Sequence, residues 1–173
     1  MSRDASRGAV LLPGLYAGLI GYAVVVVFFA AVNVLAGRSP FHTAALFGAV
    51  VFYGLEDPAA LAVTAGPVLA YNMLHMLAFL VLGVGGSWLV SMAERHPASR
   101  YLALFVLVFV FAHVVAGLVL FAQPLPTVGW WHLAAATLLA AVTMVWYLAA
   151  RHPVLVRELR SVPIGSDEEA DHA

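Results

Sequence analysis

Residues 101–150 carry no formal charge, and their one interruption is the polar turn Gln123-Pro124-Leu125-Pro126-Thr127. Each flank of that turn is close to the ~20 apolar residues that cross ~30 Å of hydrocarbon, so the stretch reads as a transmembrane hairpin. This restricts the fold to one class. In lipid every backbone N–H and C=O must find its partner within the protein, and apolar runs of this length do so as helices. The remainder of the chain agrees. Of its 173 residues 64% are hydrophobic and only 10% charged, against roughly a quarter charged in soluble domains.

Taken in order, Arg3 and Arg7 precede an uncharged run over 8–37. A signal-peptide core is about 7 to 15 residues long. This run is about twice that, so the expectation is an uncleaved first span over 14–36. Gly14, Ala17, Gly18 and Gly21 fall on one side of it, the small-residue spacing that lets helix backbones approach closely in lipid. The long connection that follows holds an apolar piece, 41–55, too short to span and better suited to an interfacial or re-entrant helix. Pro67 is well placed to open a second span over 67–92, since proline is favoured at the first helical position. The third and fourth spans are expected at 101–122 and 128–150. Trp130, Trp131, Trp146 and Tyr147 mark the two ends of the fourth, where interfacial aromatic belts lie. The remaining segment, 151–173, forms a tail whose acidic end is expected to be disordered. The predicted architecture is all-α, a four-helix transmembrane bundle with a short helix between the first and second spans.

All eight basic residues are arginine. With four spans, Arg3, Arg7, Arg95, Arg100, Arg151, Arg157 and Arg160 share one side and Arg38 stands alone on the other. The positive-inside rule then puts both termini in the cytoplasm of a bacterial inner membrane. A net charge of −1 gives no electrostatic reason to expect nucleic acid. The absence of cysteine excludes disulfides, thiolate-bound zinc, iron–sulfur clusters and covalently attached haem.

Three histidines lie within the expected spans. Counted from the outer ends at about 1.5 Å per residue, His75, His113 and His132 sit about 13, 15 and 8 Å deep, and His42 lies in the outer connection beside them. An ionisable group at membrane depth is a functional hypothesis by default. Three chemistries suit the layer. His75 and His113 on neighbouring helices can ligate haem b. His75, His113, His132 and His42, with Glu56 or Asp57, can hold a first-row transition metal. A quinone or another small substrate can hydrogen-bond to His75 with Tyr71 and Asn72 one turn away. Against these stands the plain alternative that each histidine bonds a carbonyl across a helix interface, a contact that contributes about 1 kcal/mol.

The Gly-rich first helix, the run Gly37-Arg38-Ser39-Pro40-Phe41 and the spacing Tyr71-x-x-x-His75-x-x-x-Phe79 together resemble small uncharacterised four-helix membrane proteins of bacteria. The resemblance covers residues 10 to 90 and implies no activity. No phosphate loop, nucleophile elbow or H-E-x-x-H motif is present. The leading expectation is a non-enzymatic membrane protein, either a small subunit of a larger assembly or a stand-alone or homo-oligomeric bundle in the lipid bilayer. A haem- or metal-binding redox protein and a small carrier or channel are the alternatives.

Overall fold

The computed structural model describes residues 3–93, 128–153 and, between these, 106, 108–110, 112, 113, 116 and 117. The expected third span therefore falls largely outside the described residues, as do the turns at 94–100 and 123–127 and the tail beyond 153. Every regular element among the described residues is helical: α1 (Arg3–Leu35), α2 (His42–Tyr53), a single 3₁₀ turn (Pro58–Ala60), α3 (Ala65–Ala93) and α4 (Trp130–Arg151). Three stretches, Val10–Leu35, Ala65–Met92 and Trp130–Arg151, are long and apolar enough to cross a membrane. With 12 residues α2 is too short to do so, since at 1.5 Å per residue it extends only ~18 Å.

Helix α1 runs through Pro13. A proline inside a helix removes one backbone bond and crowds the preceding turn, yet in apolar surroundings the helix remains the cheapest way to pair the other backbone groups. At its far end Gly37 takes φ +69°, open to glycine at no steric cost, and Arg38 N–H donates to the Asn33 carbonyl at 2.8 Å. Asn33 is itself buried. Its side-chain oxygen accepts from Thr43 Oγ1 at 3.0 Å and its amide donates to the Pro40 carbonyl at 3.2 Å. These bonds fasten the start of α2 to the end of α1. The turn after α2 is capped by Asp57, whose carboxylate accepts from Ala59 N–H at 2.9 Å.

Helix α1 occupies the centre, packed against α3 on one flank and α4 on the other, while α3 and α4 scarcely touch. The α1–α3 contact is made by glycine. A Cβ added at Gly14 would come within 2.6 Å of Val84 Cα, one at Gly18 would strike the Phe79 carbonyl, and one at Gly83 would strike the Gly14 carbonyl. Among lipid tails no hydrophobic drive separates helix from solvent, so close backbone approach and van der Waals contact hold such a pair together. The small-residue face of the sequence is the face that is buried. Helix α4 applies Ala136, Ala140, Ala141, Met144 and Leu148 to the core, while Leu138, Val142 and Trp146 face outward. Helix α2 caps this end by burying Leu46 and Phe47, with Gly48 directly against the Pro67 backbone.

Helix direction follows from which ends meet. Ala17 of α1, Val90 of α3 and Leu148 of α4 form one buried cluster. At the opposite end Asn33 and Arg38 meet Val128 and His132 around one cavity. Helices α3 and α4 thus run the same way, both antiparallel to α1.

Candidate functional site

The groove between α3 and α4 holds a chamber of about 550 Å³, within the several hundred Å³ typical of small-molecule sites. Helix α1 supplies Val25 and Phe29 as its back wall, α2 supplies Phe47, α3 supplies Tyr71 and His75, and α4 supplies Leu133 and Thr137. His113 and Gly117 close it from the segment between α3 and α4. The wall is apolar apart from Tyr71, His75, His113, Thr137 and the Trp130 indole.

Helical spacing builds the centre of this wall. Tyr71, His75 and Phe79 follow one another at four-residue intervals, which puts them on one face of α3. Tyr71 stacks on His75 with ring centroids 5.1 Å apart and 18° between planes, and Phe79 meets His75 edge-on at 4.9 Å. The same interval pairs Phe109 with His113, stacked at 5.7 Å. His75 and His113 then stand 6.0 Å apart, tilted by 57°. The two histidines that the sequence puts at one depth are therefore neighbours in space.

Among the described residues no hydrogen-bond partner reaches His75 Nε2, which is sealed from any cavity; Nδ1 is the nitrogen left accessible. An unpaired N–H is costlier to bury than an unpaired lone pair, so the tautomer with its proton on Nδ1 is favoured, and the ring presents a donor to the chamber. Asn72, expected beside His75, is committed elsewhere: its oxygen accepts from Tyr22 O–H at 2.9 Å and its amide donates to the Val68 carbonyl at 2.7 Å. It braces α1 against α3 and does not line the chamber.

His132 and His42 do not join the pair. His132 lies against Trp131, ring centroids 3.4 Å apart, and lines a separate cavity with Arg38. His42 is the first residue of α2, half-buried, and lines neither cavity. Burial, and after it the positive charge of Arg38, hold its imidazole below the ordinary histidine pKa. Among the described residues no three histidine or carboxylate side chains converge as metal ligands do. The expected four-histidine metal centre is thus not assembled, because equal depth along different helices does not imply a shared direction around them.

Haem b meets a steric obstacle. The Phe79 ring lies 4.9 Å from His75 and 5.7 Å from His113, themselves 6.0 Å apart. In a triangle of these sides Phe79 sits nearer the midpoint of the two histidines than to either one. An iron ligated by both would occupy that midpoint, and Phe79 would lie within the porphyrin ring. Helical phase carried Tyr71, His75 and Phe79 legibly in the sequence. The contributions of Phe47 and Thr137 had no sequence signal, since a phenylalanine in a connecting helix and a threonine in a span look the same in the core and at a binding site. No protein-family model, no curated protein and no solved structure matches this chain.

Proposed function

We propose that this chain is a non-enzymatic integral membrane protein that binds one flat lipophilic molecule in the chamber, holding a carbonyl oxygen of the ligand on His75 Nδ1. A quinone headgroup has the required chemistry: planar, apolar at its edges and rich in carbonyl acceptors. The observation that carries this reading is His75 itself, stacked on Tyr71 with one nitrogen sealed and the other left for a chamber of about 550 Å³. A stacked imidazole with no hydrogen-bond partner among the described residues is set for a ligand acceptor, and the aromatic wall suits a flat ring.

The same reading places four spans in a bacterial inner membrane with both termini cytoplasmic. Its support is connectivity and charge. Helix α3 ends and α4 begins at opposite ends of the molecule, which supports a further crossing between them. The arginine distribution favours the cytoplasm for the end that carries seven of the eight. Such a protein serves either as a quinone-holding small subunit of an assembly or alone.

The test is titration of detergent-purified protein with a short-chain benzoquinone analogue, followed by quenching of tryptophan fluorescence, with Trp130 in the chamber wall as reporter. Wild type is expected to saturate, and His75→Phe, which keeps the stacking but removes the donor, to bind about tenfold more weakly, the ~1.4 kcal/mol scale of one hydrogen bond. No saturable quenching in wild type, or equal affinity in the two proteins, would exclude this function.

A further inference from the structure

A second cavity of about 390 Å³ opens between the end of α1 and the start of α4. Its lining combines an apolar floor of Phe29, Val32 and Val128 with Asn33 and Thr43, which bond each other, and with Arg38 and His132. Phe29 is the wall that it shares with the quinone chamber. We propose that this cavity binds the anionic headgroup of an amphiphile, a phosphate ester or carboxylate paired with Arg38 and His132, with the first part of its alkyl chain lying on Phe29 and Val32.

The charge at the mouth is unbalanced. Arg38 is exposed and fixed in place by the turn that follows α1, its N–H bonded to the Asn33 carbonyl. Among the described residues its guanidinium has no carboxylate partner. Its positive charge is felt at His42. A cation at a helix C-terminus is stabilised by the helix dipole. That accounts for an arginine following α1, but not for an amphipathic cavity that it lines together with a histidine.

His132 supplies the second donor. Trp131 covers one face of its ring, and Nδ1 is buried without a partner beside Gly129, where an added Cβ would lie 3.1 Å from it. A buried N–H with no acceptor is the costlier choice, so the proton belongs on Nε2, the nitrogen left accessible. Arg38, in the turn after α1, and His132, on α4, therefore offer donors to one anion. Arginine suits this role because its planar fork matches the paired oxygens of phosphate and carboxylate. The apolar floor selects an anion that carries a chain over a free one.

The inference does not depend on the quinone reading, and its test rests on Arg38 and His132, neither of which lines the quinone chamber. Full-length protein released from detergent in native mass spectrometry is offered phosphatidylglycerol and phosphatidylcholine with identical acyl chains. Wild type is expected to retain the anionic lipid about tenfold over the zwitterionic one. Arg38→Gln and His132→Gln should each remove most of that preference, whereas Arg38→Lys should keep part of it, which separates charge from folding. Circular dichroism melting checks that the variants remain folded. Equal retention of the two lipids by wild type, or an unchanged preference in folded Arg38→Gln, overturns the site. Displacement of the retained lipid by millimolar inorganic phosphate overturns the amphiphile assignment in favour of a free anion, and resistance to it supports the amphiphile.

Discussion

His42 and Arg38 are close enough in their effects to be read against each other. Burial contributes most to the lowered pKa of His42 and Arg38 the rest. Replacing Arg38 by Gln should therefore raise the His42 midpoint toward, but not to, the ordinary 6.5. Titration of His42 by NMR in the two proteins checks this, and an unchanged midpoint would mean that the guanidinium acts too far away to matter. The sign for stability follows by linkage. The unfolded chain takes up its proton at 6.5, before the folded one, so acidification below that value works against the folded state until the lowered native pKa is passed. Above 6.5 the residue is neutral in both states and contributes no pH dependence.

Phe79 acts at the same scale. It is almost wholly buried, touches both His75 and His113, and its carbonyl receives Gly18. One residue thereby joins the helix contact, through its backbone, to the two histidines, through its ring, and that ring fills the plane that a haem would need. Its position four residues after His75 was readable from spacing alone. Its proximity to His113 was not, because that contact depends on how a second helix is turned.

For elements, the α1–α3 contact gives the sharpest expectation. Gly83 and Gly85 stand two residues apart in α3, one facing the Gly14 and Gly18 backbones and the other meeting no described residue. Gly83→Ala must push the helices apart, at a cost of about 1–3 kcal/mol for overpacking. Gly85→Ala meets nothing within 4 Å among the described residues and gains helix propensity, up to about 1 kcal/mol. Thermal unfolding in one detergent should lower Tm for the first and leave or raise it for the second. Equal effects would show that α1 and α3 do not rely on backbone contact. Helix α1 itself departs from the expected start at Gly14, since it extends back through Pro13 to Arg3. Proline predicts a boundary in water, where freed backbone groups can turn to solvent, and predicts much less where solvent is absent.

At the scale of the molecule, α3 and α4 run parallel against α1, and His113 and Gly117 close the chamber between them. The proposed topology makes a direct prediction. A reporter fused after Ala150 or inserted at Ala98 should report from the cytoplasm, and one inserted near Asp57 from the periplasm. A periplasmic signal at Ala98 would require the segment that contains α2 to cross the membrane, which a 12-residue helix is too short to do.

The sequence by itself determined the helical class, the apolar lengths that can cross a membrane and the glycine face of α1, and it put His75 and His113 at one expected level. Each of these depends on distance along a single helix, and rise per residue is constant enough that an error of a few residues changes little. Only the tertiary structure decided that His75 meets His113 while His132 turns away to Arg38, that Asn72 is consumed by Tyr22, and that Phe79 occupies the plane between the two histidines. Those outcomes depend on rotation about each helix axis. Rotation is set where glycine backbones touch and side chains interlock between helices, and no count along one chain contains it.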